Sequence, residues 1–203
     1  MSQLVIIGAS AMGRETFTYA TALGMQVKGF LDSRKNLLDD KPGYPPVLSS
    51  VEEYVVGIED VFVCAVGDSV ARRKFVELIE MRGGRFVSII HPMAYVGQNV
   101  TIGDGCIICP NSTLTNDIQI GNHVIVNVNS SVSHDCSVGS FVTISPGCHI
   151  AGWCELKEDV FMGVHSAVVP HVSLGAGVFV AAGAVVTKSV DAGRVMGVPA
   201  ILK

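Results

Sequence analysis

From Val96 to Val186 every sixth residue is a branched aliphatic or a methionine: Val96, Ile102, Ile108, Leu114, Ile120, Val126, Val132, Val138, Ile144, Ile150, Leu156, Met162, Val168, Leu174, Val180 and Val186. An α-helix, at about 3.6 residues per turn, would scatter these positions around its axis. A lone strand alternates in twos and needs no turn at each sixth residue. A coil built from three short strands satisfies both demands, with each hexad forming one side and its aliphatic pointing inward. The residue four places further on is small or β-branched throughout, as at Cys106, Ser112, Val124 and Ser130, and packs near the corner. Glycine often follows the aliphatic, as at Gly97, Gly103, Gly121 and Gly139. Stacked coils bury a continuous core that no single repeat buries alone. The frame runs to about Val190 without a slip, so no long loop interrupts it, and three hexads per turn give about five coils.

The first half of the chain has another rhythm. Leu4–Ile7 reads as a short strand, followed by Gly8-Ala9-Ser10-Ala11-Met12-Gly13 and a helix to about Leu23 that Gly24 ends. Val27–Leu31 and Val61–Val66 read as further strands, Ser69–Met81 as a helix closed by Gly83-Gly84, and Phe86–Ile90 as a fourth strand. Strands alternating with helices predict a small α/β domain with a parallel sheet. Residues 1–91 are therefore assigned to a Rossmann-like domain and residues 92–203 to the repeat domain, with the boundary at His91-Pro92.

Composition narrows the function classes. Net charge is -4 and no basic stripe marks a nucleic-acid partner. No apolar run approaches the roughly 20 residues of a membrane span, and Leu4–Ile7 is too short for a signal-peptide core. A soluble cytoplasmic protein is the expectation. Four of the six cysteines (Cys106, Cys136, Cys148, Cys154) share one inward phase of the repeat, so they read as small core residues rather than disulfide partners or zinc ligands.

Stacking also locates candidate chemistry. Residues eighteen apart lie one above the other at about 4.8 Å, the spacing of paired strands. Gly152 thus lies over His134. The imidazole can take a proton from an incoming amine or hydroxyl, and the unshielded Gly152 N–H can stabilise a thioester oxyanion. Asp135 beside His134 can raise its basicity or fix its tautomer. The contact needs a turn at His134, because successive strand side chains point to opposite faces. His91 reads as structural, while His123, His149, His165 and His171 read as surface or interface residues.

In the α/β half, Gly8 and Gly13 match the ends of a dinucleotide-binding G-x-G-x-x-G, but Ser10 replaces the glycine that lets a pyrophosphate approach the backbone. A loop before a helix N-terminus still suits a phosphate. Asp32 closes the second strand and can accept from a ribose or base, Gly67 and Asp68 open onto the same crevice, and Arg72 can reach a phosphate.

These residues together resemble the sialic-acid O-acetyltransferase family of sugar acyltransferases, most closely its bacillosamine-type nucleotide-amino-sugar N-acetyltransferases. The markers are Gly8-Ala-Ser-Ala-Met-Gly13, Phe30-Leu31-Asp32, Val66-Gly67-Asp68 with Arg72, His91-Pro92, Asn127 ahead of Ser133-His134-Asp135, Ala151-Gly152, and Gly197-Val198-Pro199-Ala200. The resemblance implies a left-handed β-helix, since parallel crossovers are otherwise right-handed. It implies a homotrimer with active sites between subunits, acetyl-CoA along the β-helix, and a nucleotide-linked amino sugar in the α/β domain. By position it makes His134 the general base, Asp135 its carboxylate, and Gly152 the donor to the thioester oxygen. Thr143, Val164 and Ala182 fall where the family contacts acetyl-CoA. Ser10, Ala11, Met12, Asp32, Ser33 and Gly67 fall where it contacts the sugar nucleotide, a set to which Gly8, Asp68, Arg72 and Asn127 are added. The chain departs from the family at Ala11-Met12, where Gly-His is usual, at Asp32-Ser33, where Asp-Asp is frequent, and at Asp135, where the bacillosamine-type enzymes have Glu.

The reading is an acetyl-CoA-dependent N-acetyltransferase, without a metal, that acts on the amine of a nucleotide-linked amino sugar by direct transfer. Three alternatives accompany it: O-acetylation of a sialic acid or other sugar, a zinc carbonic anhydrase on the same β-helix, and a non-catalytic β-helix that mediates assembly.

Overall fold

The computed structural model describes residues 2–197 and 201–202. Its first part is a parallel five-stranded sheet in the order β3-β2-β1-β4-β5, with β1 Gln3–Ile7, β2 Val27–Leu31, β3 Val47–Ser49, β4 Asp60–Cys64 and β5 Arg85–Phe86. The apolar runs of β1 and β4 sit at the centre and are almost wholly buried. Two helices complete it, α1 Ala11–Ala22 and α2 Ser69–Glu80. Asp68 caps α2 by accepting from the Ala71 N–H at 2.8 Å. Arg72, Val76 and Ile79, spaced along one face of α2, are its buried side. The edge strand β3 was not anticipated. It is three half-buried residues after a Pro-Pro pair, too short to show an alternating pattern.

The second part is a left-handed β-helix. Two-residue strands recur every six residues and pair in parallel with strands eighteen residues away, as Val132 does with Ile150 and Ile144 with Met162. One sheet runs from Tyr95–Val96 to Val185–Val186, a second from Thr101–Ile102 to Ser173–Leu174, and a third from Ile89–Ile90 to Phe179–Val180. The third is extended by Arg194–Met196 and Ile201–Leu202. The aliphatics of the repeat, from Ile108 to Val186, form one buried core. Each such side chain contributes about 1.5–3 kcal/mol by leaving water. Val96 is 37% exposed, because its strand is the end strand of its sheet. The expected fourth strand of the α/β domain splits in two. Arg85–Phe86 closes the α/β sheet, while Ile89–Ile90 pairs with Ile107–Ile108 and already belongs to the coil. Ile90 lies six residues before Val96, so the repeat starts one hexad earlier than read. At the other end, Val198-Pro199-Ala200 lies outside the described residues.

The corners explain the rest of the hexad. Its fourth residue has φ between 55° and 70° from Asn99 to Gly183, the left-handed region favoured by Gly, Asn and Asp. Phe141 and Trp153 are the large aromatics in that phase. Where the fifth residue is Ser or Cys, its hydroxyl or thiol can reach the carbonyl fifteen residues ahead. Ser112 reaches Asn127 at 3.0 Å, Ser130 reaches Ser145 at 2.9 Å, and Cys148 reaches Gly163 at 3.0 Å. All six cysteines are buried and free. Cys106 and Cys109 form a Cys-x-x-Cys spacing, but strand alternation separates its members. Cys106 faces the coil interior and Cys109 the α/β domain.

The α/β domain packs on the third sheet. Ile107 and Ile125 share a core with Phe30 and Ile89, and Phe141 shares one with Val76. Among the described residues no helix is long and apolar enough to cross a membrane.

Candidate active site

His134 and Asp135 form the turn between Ser131–Val132 of the first sheet and Ser137–Val138 of the second. This corner is opposite the third sheet, on which the α/β domain sits. The left-handed conformation of Asp135 (φ 58°) swings its carboxylate onto His134 Nδ1 at 2.8 Å. Both side chains are 45% exposed. With the carboxylate ionised, Nδ1 carries the ring hydrogen and Nε2 is left as the base. Gly152 does lie directly over the ring. A Cβ there would stand 2.6 Å from Cε1 and 2.9 Å from Nε2, so any larger residue would displace the imidazole.

The Gly152 N–H donates to no described group, and the sequence explains why. At Gln98, Asp104 and Asn122 the corresponding N–H donates to a side-chain oxygen eighteen residues ahead, on Asn116, Asn122 and Ser140. Eighteen residues beyond Gly152 stands Pro170, which has no such acceptor. The corner therefore presents a base and an open amide side by side. Trp153 completes it. Its ring lies 4.5 Å from His134 with planes at 88°, and stacks on His171 at 4.9 Å. The hexad period does not single out Trp153 or Pro170, whereas the left-handed corner phase shows in the sequence as Gly, Asn and Asp recurring in the fourth place.

A cleft of about 420 Å³ opens at the ends of β1, β2 and β4. Of the expected residues it gathers Gly8, Ser10, Met12, Asp32, Ser33 and Gly67. A Cβ on Gly13 would run into the Gly8 carbonyl, so the glycine holds α1 against β1. Ser10 begins α1 without a side-chain capping bond, which leaves its hydroxyl for a ligand. Asp32 is engaged differently from the expectation. It accepts from the Ala9 N–H at 3.1 Å and from Arg34 Nε and Nη2, both at 2.9 Å. Partial burial pushes its pKa up, but the Arg34 fork and the backbone bonds outweigh burial and hold the carboxyl below its ordinary value. Arg34, also on the cleft, had not been singled out.

Five expected positions lie elsewhere. Ala11 does not line the cleft, and Asp68 caps α2 beside a neighbouring groove. Asn127 binds the Ile144 carbonyl at 2.9 Å. Arg72 does not reach toward a phosphate. It is fully buried and clamps the two domains, donating to the Val66 and Gly67 carbonyls at 2.7 and 3.1 Å, to the Phe141 carbonyl at 2.6 Å and to Thr143 Oγ1 at 2.9 Å. Burial lowers its pKa to about 10, which leaves it charged at neutral pH. Thr143, expected at acetyl-CoA, is buried in the same clamp and donates to the Gly67 carbonyl at 3.0 Å. His123 is likewise no surface residue. It is 4% exposed between Phe86 and Phe141, and burial pushes its pKa down to about 4. Val164 and Ala182 stack at the corner between the third and first sheets. Among the described residues no group of three or more His, Cys, Asp or Glu side chains could hold a metal ion.

The fold joins a small parallel α/β domain to a left-handed β-helix of hexapeptide repeats. Residues 3–79 match the family model of the PglD N-terminal domain, and residues 87–116 match that of the bacterial transferase hexapeptide. No curated protein matches the sequence. Among solved structures, the acetyltransferase domain of PglB from Neisseria gonorrhoeae FA1090 is 29% identical with a TM-score of 0.91, covering 100% of both chains. PerB from Caulobacter crescentus, in complex with CoA and GDP-perosamine, is 29% identical with a TM-score of 0.92, covering 100% of this chain and 98% of its own. WeeI from Acinetobacter baumannii AYE is 28% identical with a TM-score of 0.90 and covers 100% of both. The chain is an enzyme of the acetyltransferase class.

Proposed function

We propose that this chain is a cytoplasmic, homotrimeric N-acetyltransferase that moves the acetyl group of acetyl-CoA to the amine of a nucleotide-linked amino sugar. One observation carries the reading: the His134 ring, oriented by Asp135, lies directly beneath Gly152, whose N–H donates to no described group. The amine attacks the thioester carbonyl while His134 Nε2 takes its proton. The Gly152 N–H holds the oxyanion of the tetrahedral intermediate. Collapse breaks the C–S bond, and His134 returns the proton to the departing CoA thiolate, so no acyl-enzyme is needed.

Gly152 at one edge and Val164 with Ala182 at the other border the first sheet, whose outward residues include Ser131, Ala167 and Val185. Acetyl-CoA is assigned to this strip. The sugar nucleotide is assigned to the cleft of Gly8, Ser10, Met12, Asp32, Ser33 and Gly67, with Arg34 toward its diphosphate. Cleft and base lie on opposite sides of one coil, so the complete site takes the His134 corner of one copy and the cleft of another. The likeness to PerB, which holds CoA and GDP-perosamine, supports the substrate class.

Acetyl-CoA turnover with nucleotide-linked 4-amino and 3-amino sugars tests the reading. His134→Ala is expected to slow CoA release by about 10² or more, and retained turnover would remove His134 from the mechanism. Transfer to a hydroxyl of a free sugar, as the sialic-acid resemblance suggests, instead predicts no binding of a nucleoside diphosphate.

A further inference from the structure

Two large aromatics occupy the left-handed corner phase, Phe141 at φ 61° and Trp153 at φ 55°. That backbone costs a bulky residue about 1–2 kcal/mol. For Phe141 the compensation lies within the chain. Its ring is 7% exposed, stacks on His123 at 4.9 Å, and carries the Arg73 guanidinium at 4.0 Å. Trp153 has no such enclosure. It is 53% exposed, and the rings it touches belong to the half-exposed His134 and the exposed His171. Asparagine would hold the same corner with less strain, as it does at Asn99, Asn111 and Asn129. The indole therefore meets something outside its own chain.

Its place says what that is. A general base works at about 2.6–3.2 Å from the atom it deprotonates. An amine held at that distance from His134 brings the carbons of its sugar within reach of a ring centred 4.5 Å from the imidazole. The C–H face of a pyranose is apolar, and indole offers it a large, rigid surface.

We propose that Trp153 is a specificity-determining residue whose indole packs against the sugar ring of the acceptor while the amine sits at His134. This rests on the acetyl-transfer reading above.

Trp153 is the sole tryptophan of the chain, so its fluorescence reports directly on the intact protein. A nucleotide-linked amino sugar is expected to shift or quench the emission, and the nucleoside diphosphate alone is expected to leave it unchanged. Emission unmoved at saturating acceptor overturns the proposal. Kinetics supply a second arm. Trp153→Asn is expected to raise the acceptor KM about tenfold, with the acetyl-CoA KM changed less than about twofold and Tm undiminished, and Trp153→Phe to restore most of the loss. An unchanged acceptor KM in Trp153→Asn sinks the role of Trp153 and leaves that of His134 standing. Both KM values rising together with a lower Tm would make the ring structural and likewise overturn the proposal. A wild-type protein that releases no CoA with any nucleotide amino sugar removes the acetyl-transfer reading, and this inference with it.

Discussion

Two corners of the same coil use similar parts for opposite ends. At the junction corner, His123 lies between Phe86 and Phe141 while Arg72 and Arg73 seal it from the α2 side. At the reaction corner, His134 lies between Gly152 and Trp153 with Asp135 at its Nδ1. Each has a histidine, a strained aromatic and a charged neighbour. The difference is enclosure. Burial holds His123 neutral, and Arg72 and Arg73 add to this against the opposing pull of Asp104, with the exposed Glu80 carboxylate 3.9 Å away. His134 stays open to solvent, with the Asp135 carboxyl at its Nδ1. Residue type makes a histidine available for chemistry, and surroundings decide whether it is used.

The sharpest way to break this contrast is at Arg72. Replacing it by Ala removes the Arg72 bonds to the Phe141 and Val66 carbonyls in the junction, and the chain is expected to lose about 3–5 kcal/mol in urea denaturation. A loss below 1 kcal/mol or so would mean that the junction is not a clamp. Next comes pH. The folded-state pKa of His123, about 4, lies below its ordinary value of 6.5, so the unfolded chain binds more protons between these limits. The stability that neutral His123 contributes is complete above pH 6.5 and is lost as pH falls toward 4, by up to roughly 3 kcal/mol. His123→Phe is expected to flatten that slope, and an unaltered slope would place the titration elsewhere. The smallest effect is at the reaction corner. Gly152→Ala puts a methyl group into the space of the imidazole, and kcat is expected to fall about tenfold with Tm nearly unchanged. Full activity in that variant would show that the ring need not lie under residue 152.

Much of this was legible in the residues. The step of six, the inward phase and the His134–Gly152 stack all follow from local periodicity, and periodicity needs no knowledge of distant contacts. The α/β strands and helices were legible for the same reason, except β3, whose three residues hold no period. Arg72 and Thr143 were misplaced because each has the right chemistry for a ligand and the wrong surroundings. Their partners lie about seventy residues apart in sequence, and no local pattern announces such a contact.

The sequence alone determined a three-sided coil, its corner histidine and the glycine above it, because a strict repeat permits one way of burying its aliphatics. Tertiary structure decided which face the α/β domain covers, and hence that Arg72, His123 and Thr143 are sealed while His134 and Trp153 remain open. Enclosure depends on contacts between segments far apart in the chain, and those arise only when the whole fold closes.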